Sequence, residues 1–167
     1  MAGVSGLRER KKEATRAALS WAAVRLTVER GLNEVKIEDI AEAVGVSPRT
    51  FNNYFSSKAE AIAFRHLERS LRVAVELRHG PSGEPLWEAI TRAVLRQLEP
   101  GPEVRHMPPQ EPGDWVAGVR VMLAEPVLEA EMLRAGKIAE KELAAAIADR
   151  TGTDAESDLY PVWWQRA

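Results

Sequence analysis

Cysteine is absent from all 167 residues of this chain. Disulfides, thiolate metal sites and cysteine nucleophiles are thereby excluded, and the composition fits a reducing compartment. Aromatic residues are sparse, at 6%. No apolar run reaches the roughly 18 residues that a membrane-spanning helix requires. Met1–Lys12 carries glycine, arginine and lysine with no apolar segment behind it, so it does not read as a secretory signal, and a cytoplasmic location is the expectation. Strand signals are also missing, because Val, Ile and Thr nowhere alternate with polar residues over a useful length. Catalytic and metal motifs are lacking. His66, His79 and His106 are scattered, with no i, i+4 ligand pair. There is no Gly-x-Ser-x-Gly elbow, P-loop or dinucleotide fingerprint. Ser5-Gly6 and Ser82-Gly83 read as loop residues, and Glu129, Glu131, Glu140 and Glu142 as solvated carboxylates with Lys137 and Lys141 as ion-pair neighbours. The expectation is a protein without enzymatic activity, metal or cofactor.

What is present is helical. Ala, Leu, Glu and Arg dominate, the chain is 45% hydrophobic, and apolar residues recur at helical spacing, which predicts an all-α fold. The first helix is expected over about Leu7–Arg30, with Ala14, Ala17, Ala18, Trp21, Val24 and Val28 as its apolar stripe and Gly31 as its stop. A short helix follows over Lys36–Val44, then a Gly45-Val46 turn. Ser47 caps a third helix that runs to about Tyr54, with Pro48 at its first position, where a missing N–H costs nothing. Ser57-Lys58-Ala59-Glu60 has the form of a capping box and opens a fourth helix to about His79, with Ala61, Ile62, Leu67, Leu71 and Val75 as its apolar positions. A fifth helix is expected over Pro85–Leu98. The stretch Glu99–Gly113 holds five prolines and two glycines and reads as a loop. Helices over Asp114–Ala124 and from Pro126 to about Arg150 follow, and Ser157–Ala167 begins an eighth.

The formal net charge is −2, which alone argues against a nucleic-acid partner. Its distribution points the other way. Through Ser70 there are 12 Lys and Arg against 9 Asp and Glu, whereas from Leu71 onward there are 11 against 16. Contact with a polyanion is therefore expected in the N-terminal half.

Within that half, Val35–Lys58 has the form of two short helices joined by a glycine turn and followed by a separately capped helix. Ile40, Ala41 and Val44 are expected to pack on Val46, Phe51 and Phe55, with the small Ala41 allowing close approach. The outer face of the third helix then presents Ser47, Pro48, Arg49, Thr50, Asn52, Asn53 and Tyr54. No acidic residue falls between Ser47 and Ser56, whereas an ordinary solvated face carries Glu and Lys. A slim acid-free helix suits the major groove, where Arg49 can meet guanine and Asn52 or Asn53 adenine or a phosphate. Lys58, at the start of the next helix, is placed to share a phosphate with free backbone N–H groups.

Ile40-Ala41, Gly45-Val46-Ser47, Arg49-Thr50-Phe51, Tyr54-Phe55 and Lys58 together resemble the N-terminal domain of the TetR family of bacterial regulators, over about Arg10–Leu71. The resemblance implies a three-helix DNA-binding domain followed by a helical effector-binding and dimerisation domain, here divided as 1–56 (helix-turn-helix proper 36–55) and 57–167. It further implies a homodimer on a palindromic double-stranded operator, acting as a repressor that a small molecule releases. Carried over by position, the DNA-facing residues are Lys36, Ser47, Pro48, Arg49, Thr50, Asn52, Asn53, Tyr54 and Lys58. This chain departs from the family pattern in three ways. Val35-Lys36 replaces a Thr pair, so a helix cap is expected to be lost. Asn52 and Asn53 stand where aromatics are common. The C-terminal end looks short for two long dimer helices.

No motif identifies an effector. Trp87, Trp115, Val119, Met122 and Met132, with Leu133, are candidates to line a pocket between helices, and ordinary core is the competing reading. Trp163 and Trp164 suggest burial against a partner subunit or against the chain's own body. The competing function class is a helical small-molecule-binding or protein-interaction module without functional DNA binding.

Overall fold

Gly31, Gly45, Pro48 and the Gly80–Gly83 turn punctuate the chain as their chemistry requires. The computed structural model describes residues 2–98, 120 and 122–154. Its helices are α1 (Ala2–Arg30), α2 (Ile37–Val44), α3 (Pro48–Asn52), α4 (Lys58–His79), α5 (Leu86–Leu98) and α6 (Pro126–Thr151). No strand occurs among the described residues, so the fold is all-α. Arg120, Met122 and Leu123 are helical, within the helix expected over Asp114–Ala124. Trp115, Val119, His106, Trp163 and Trp164 lie outside the described residues.

The described residues form two compact units. The first holds residues 2–65 with 120 and 122–133, and the second holds residues 66–98 with 134–154. In the first unit Leu19, Ala22, Ala23 and Leu26 of α1 pack with Leu32, Val35, Ile40, Ala41, Phe51, Phe55 and Ile62, joined by Met122 and Leu128. The buried face of α1 is thus rotated from the expected stripe. Ala14 is exposed, and Ala17, Ala18, Trp21 and Val28 are half-buried, leaving Val24 as the stripe residue that is fully buried. Alanines surround this helix on several sides, so apolar spacing alone leaves its inward direction ambiguous. The helix also begins earlier than expected, at Ala2.

In the second unit Val73, Ala74 and Leu77 of α4 pack on Ala89 and Ala93 of α5 and Ala146 of α6. Val75, expected on the inner face, is 51% exposed, and Leu67 and Leu71 are half-buried. The α4–α5 turn is held by one arginine. Arg150 donates to the carbonyls of Leu77, Pro81 and Glu84 at 3.2, 2.5 and 2.8 Å. Its side chain is only 8% exposed and lies 3.7 Å from the Glu84 carboxylate. Arg92 meets that carboxylate through Nε and Nη2 at 3.0 and 2.9 Å, a forked charge-assisted contact. Of the α6 carboxylates, Glu142 pairs with Arg78 at 3.5 Å, and Arg78 also bonds Asp149 at 3.1 Å. These links join α6 to α4, where the sequence suggested pairs along α6 itself.

Candidate nucleic-acid interface

The site begins at the α1–α2 connection. Lys36 has no acceptor on its side chain, yet the start of α2 is not left open. The Asp39 carboxylate accepts the Lys36 backbone N–H at 2.8 Å, the reciprocal half of a capping box. The expected loss of the side-chain cap is seen, since Lys36 makes no capping bond through its side chain, and the Asp39 carboxylate satisfies a different group, the Lys36 backbone N–H. Lys36 itself stays exposed.

Gly45 ends α2 at φ 72°, in the left-handed region, and the N–H of Val46 bonds back to Ala41 O at 3.0 Å. This turn sets the angle between α2 and α3. Ser47 then caps α3: its Oγ accepts the Thr50 N–H at 3.1 Å and lies 2.9 Å from the Thr50 hydroxyl. Ser47 and Thr50 thus have part of their hydrogen-bonding capacity occupied within the helix. Phe51 is fully buried, Val44, Val46 and Tyr54 pack partly against the same core, and Ala41 is buried where α2 and α3 meet.

With Phe51 and Phe55 inward, Ser47, Pro48, Arg49, Asn52 and Asn53 are exposed together on the far side, beside half-buried Thr50 and Tyr54. The Arg49 guanidinium makes no hydrogen bond or ion pair among the described residues, so its five donors face solvent. Tyr54 sits nearer the core than the outer-face reading placed it.

Lys58 makes two contacts within the fold that its place at a helix start does not announce. Its ammonium donates to Leu32 O at 2.7 Å and Val35 O at 2.5 Å, pinning the first turn of α4 to the α1–α2 connection. Two of three hydrogens are taken by the fold. Ser57 caps α4 through Oγ to the Glu60 N–H at 3.0 Å, but the Glu60 carboxylate reaches back to the N–H and hydroxyl of Ser56, both at 2.7 Å, and not to Ser57. The box is therefore displaced by one residue.

One contributor escaped the sequence reading altogether. Arg16 of α1 lies over the Phe64 ring at 4.1 Å and the Phe55 ring at 5.5 Å, tying α1 to the residue that follows the α3 turn. Such cation–π contacts contribute about 0.5–2 kcal/mol each. Only long-range packing brings these residues together, so no local signal reports the pair.

Of the five pocket candidates, Trp87, Met122 and Met132 are among the described residues. Met122 is buried in the core of the first unit, Met132 is half-buried in that unit, and Trp87 belongs to the second and is 60% exposed. Trp87 lines a surface concavity of about 520 Å³ with Glu88, Thr91, Arg92, Leu95 and Arg96. No group of three or more His, Asp or Glu residues able to hold a metal occurs among the described residues, and no described helix is long and apolar enough to cross a membrane.

A short helix, a left-handed glycine turn and a separately capped second helix with an exposed, acid-free outer face constitute a helix-turn-helix of the DNA-binding kind. Residues 21–62 match the family model described as bacterial regulatory proteins of the tetR family, and residues 84–167 match the MftR C-terminal domain. The chain is also 35% identical over 161 residues to the HTH-type transcriptional regulator TcmR of Streptomyces glaucescens, an alignment covering 93% of this chain and 69% of that protein. The chain belongs to the TetR family, whose function is DNA-binding transcription regulation.

Proposed function

We propose that the chain is a repressor that binds a palindromic operator as a homodimer and leaves it when a small molecule binds. Residues 1–56 read DNA in this scheme, and residues 57–167 carry the effector and the dimer contact. The observation that supports it most directly is the exposed face of α3, on which Arg49, Asn52 and Asn53 stand with no carboxylate on the helix. Arg49 pairs with a guanine edge, Asn52 or Asn53 with adenine, and Ser47, Pro48, Thr50 and Tyr54 fix the helix against sugar and phosphate. Lys36 contacts phosphate at one edge. At the other edge Lys58 offers its remaining hydrogen beside the N-terminus of α4, where backbone N–H groups favour an anion. Effector contact falls to the C-terminal part, where Trp87 is an exposed aromatic among the described residues.

Mobility-shift titration with the promoter beside its own gene tests this reading. The expected result is a salt-sensitive, sequence-specific shift by a dimer whose reading helices lie about 34 Å apart, one turn of DNA. Absence of any shift at low salt would overturn it in favour of a helical binding module without DNA contact. A monomer by light scattering at micromolar concentration would overturn the dimer.

A further inference from the structure

All three phenylalanines of the chain lie in one row. Phe51 belongs to α3, Phe55 follows the turn that ends it, and Phe64 lies on α4. The ring centroids of Phe51 and Phe55 are 5.7 Å apart and those of Phe55 and Phe64 5.5 Å, with the planes tilted by 49° and 59°. Phe51 and Phe55 are fully buried, and Phe64 packs partly buried against the same core. Arg16 of α1 closes the row at the end away from α3. Its guanidinium lies 4.1 Å from the Phe64 centroid and 5.5 Å from that of Phe55. Among the described residues it covers these two rings and not that of Phe51.

A guanidinium is an unfavourable filler for this place. Arg16 Nε is buried without a hydrogen-bond partner among the described residues, a desolvation that an apolar side chain of similar length would avoid. What the guanidinium adds over such a side chain is direction. It is attracted to the faces of the rings, so it favours one orientation of Phe64 and Phe55 over others that fill the same volume. Orientation matters here because α3 has five residues and Phe51 is its buried anchor. Asn52 and Asn53 follow Phe51 directly, and Arg49 precedes it by two positions. A rotation of Phe51 against Phe55 therefore turns the exposed face of α3. Groups that recognise a ligand must be held to within about 0.5 Å and 10–20°.

We propose that Arg16 is a positioning residue for base readout. Through Phe64 and Phe55 it holds Phe51, and with Phe51 the face of α3 that carries Arg49, Asn52 and Asn53. The inference rests on the DNA-binding reading above. Arg16 touches no base in this scheme and acts through the rings.

The test uses the full chain with Arg16→Met, which keeps the length of the side chain and removes its charge, and Arg16→Lys, which keeps a cation. Affinity of the Met variant for promoter DNA is expected to fall about tenfold, the order of one cation–π contact, with affinity for unrelated duplex unchanged. Its salt slope should equal that of the wild type, whereas loss of a direct phosphate contact would lower the slope by about 0.9 and weaken both duplexes alike. Arg16→Lys should recover most of the preference for promoter DNA. Labelling with 4-fluorophenylalanine gives one fluorine resonance for each ring of the row and none from elsewhere. All three resonances should move in the Met variant, including that of Phe51, which Arg16 does not cover. Phe64→Leu removes the ring nearest Arg16 and should reproduce the loss of preference from α4, which keeps the test open if Arg16→Met fails to fold. An unchanged ratio of promoter to unrelated-duplex affinity in Arg16→Met or Phe64→Leu overturns this inference alone. Fluorine shifts confined to two rings, or a shallower salt slope in the Met variant, also overturn it alone. No wild-type shift of promoter DNA overturns the DNA reading beneath it.

Discussion

Lys36, Arg49 and Lys58 are three cations around one helix-turn-helix, and the fold uses them unequally. Arg49 is exposed and holds no partner among the described residues, so its removal leaves the fold intact. Arg49→Ala is expected to relax base preference at one position of each half-site by about 1–3 kcal/mol, read from affinities for single-base operator variants, with an unchanged melting temperature. Uniform loss over all variants would contradict a base-reading role. Lys58 carries structural duty. Lys58→Ala leaves the carbonyls of Leu32 and Val35 without their charged donor. Allowing for partial exposure, stability should fall by about 2 kcal/mol, measured by urea unfolding. An unchanged midpoint would rule this out. The local sequence around Lys58 announces a helix start, which is the ground for its proposed phosphate contact. It could not announce carbonyls 23 and 26 residues earlier, because those are brought in by tertiary packing.

At the scale of elements, α3 has five residues, too few to form an isolated helix in water. It persists because Ser47 caps it, Phe51 anchors it and Gly45 aims it. A Cβ at Gly45 would meet nothing within 4 Å, so the cost of a side chain there is backbone strain and not a clash. Gly45→Ala is expected to cost about 1–2 kcal/mol, and Gly45→Asn less, because Asn tolerates the left-handed region better. Thermal melts of both variants check this, and equal melting for Ala and Gly would count against it. Boundaries of this kind were legible in the sequence, since Gly31, Gly45, Ser47-Pro48 and Ser57 each act through local backbone chemistry. Directions of faces were less so. Ala14, Ala17, Ala18, Ala22 and Ala23 all satisfy an apolar pattern, and only packing selects Ala22 and Ala23 for burial. Asp39 is legible as the third residue of α2, whereas its bond to the Lys36 N–H depends on the turn of backbone that precedes the helix.

For the whole molecule, charge is divided by task. In the proposed scheme the exposed cations of the first unit meet a polyanion, while Arg78, Arg92, Arg96 and Arg150 of the second bond that unit's own carboxylates and carbonyls. Arg150, Arg92 and Glu84 form the densest part of that second arrangement, and it makes an acid-sensitive point. The hydrogen bond from Arg92, with attraction from Arg92, Arg150 and Arg96, holds the Glu84 carboxyl below its ordinary value of 4.5 despite an opposing desolvation. A carboxylate whose folded pKa is lowered stabilises the native state fully above its unfolded value, and that contribution is lost as pH falls through the folded one. The second unit should therefore weaken as pH falls below about 4.5, with no contribution to pH dependence from Glu84 near neutrality. Glu84→Gln removes the titrating group while keeping an acceptor for Arg92. Its melting temperature is expected to lie below that of the wild type at pH 7 and to approach it as the pH is lowered toward 3. Melting curves of the two proteins across pH 3–7 decide the matter, and a gap that stays constant over that range would show that Glu84 is not the group whose protonation loosens the α4–α5 turn.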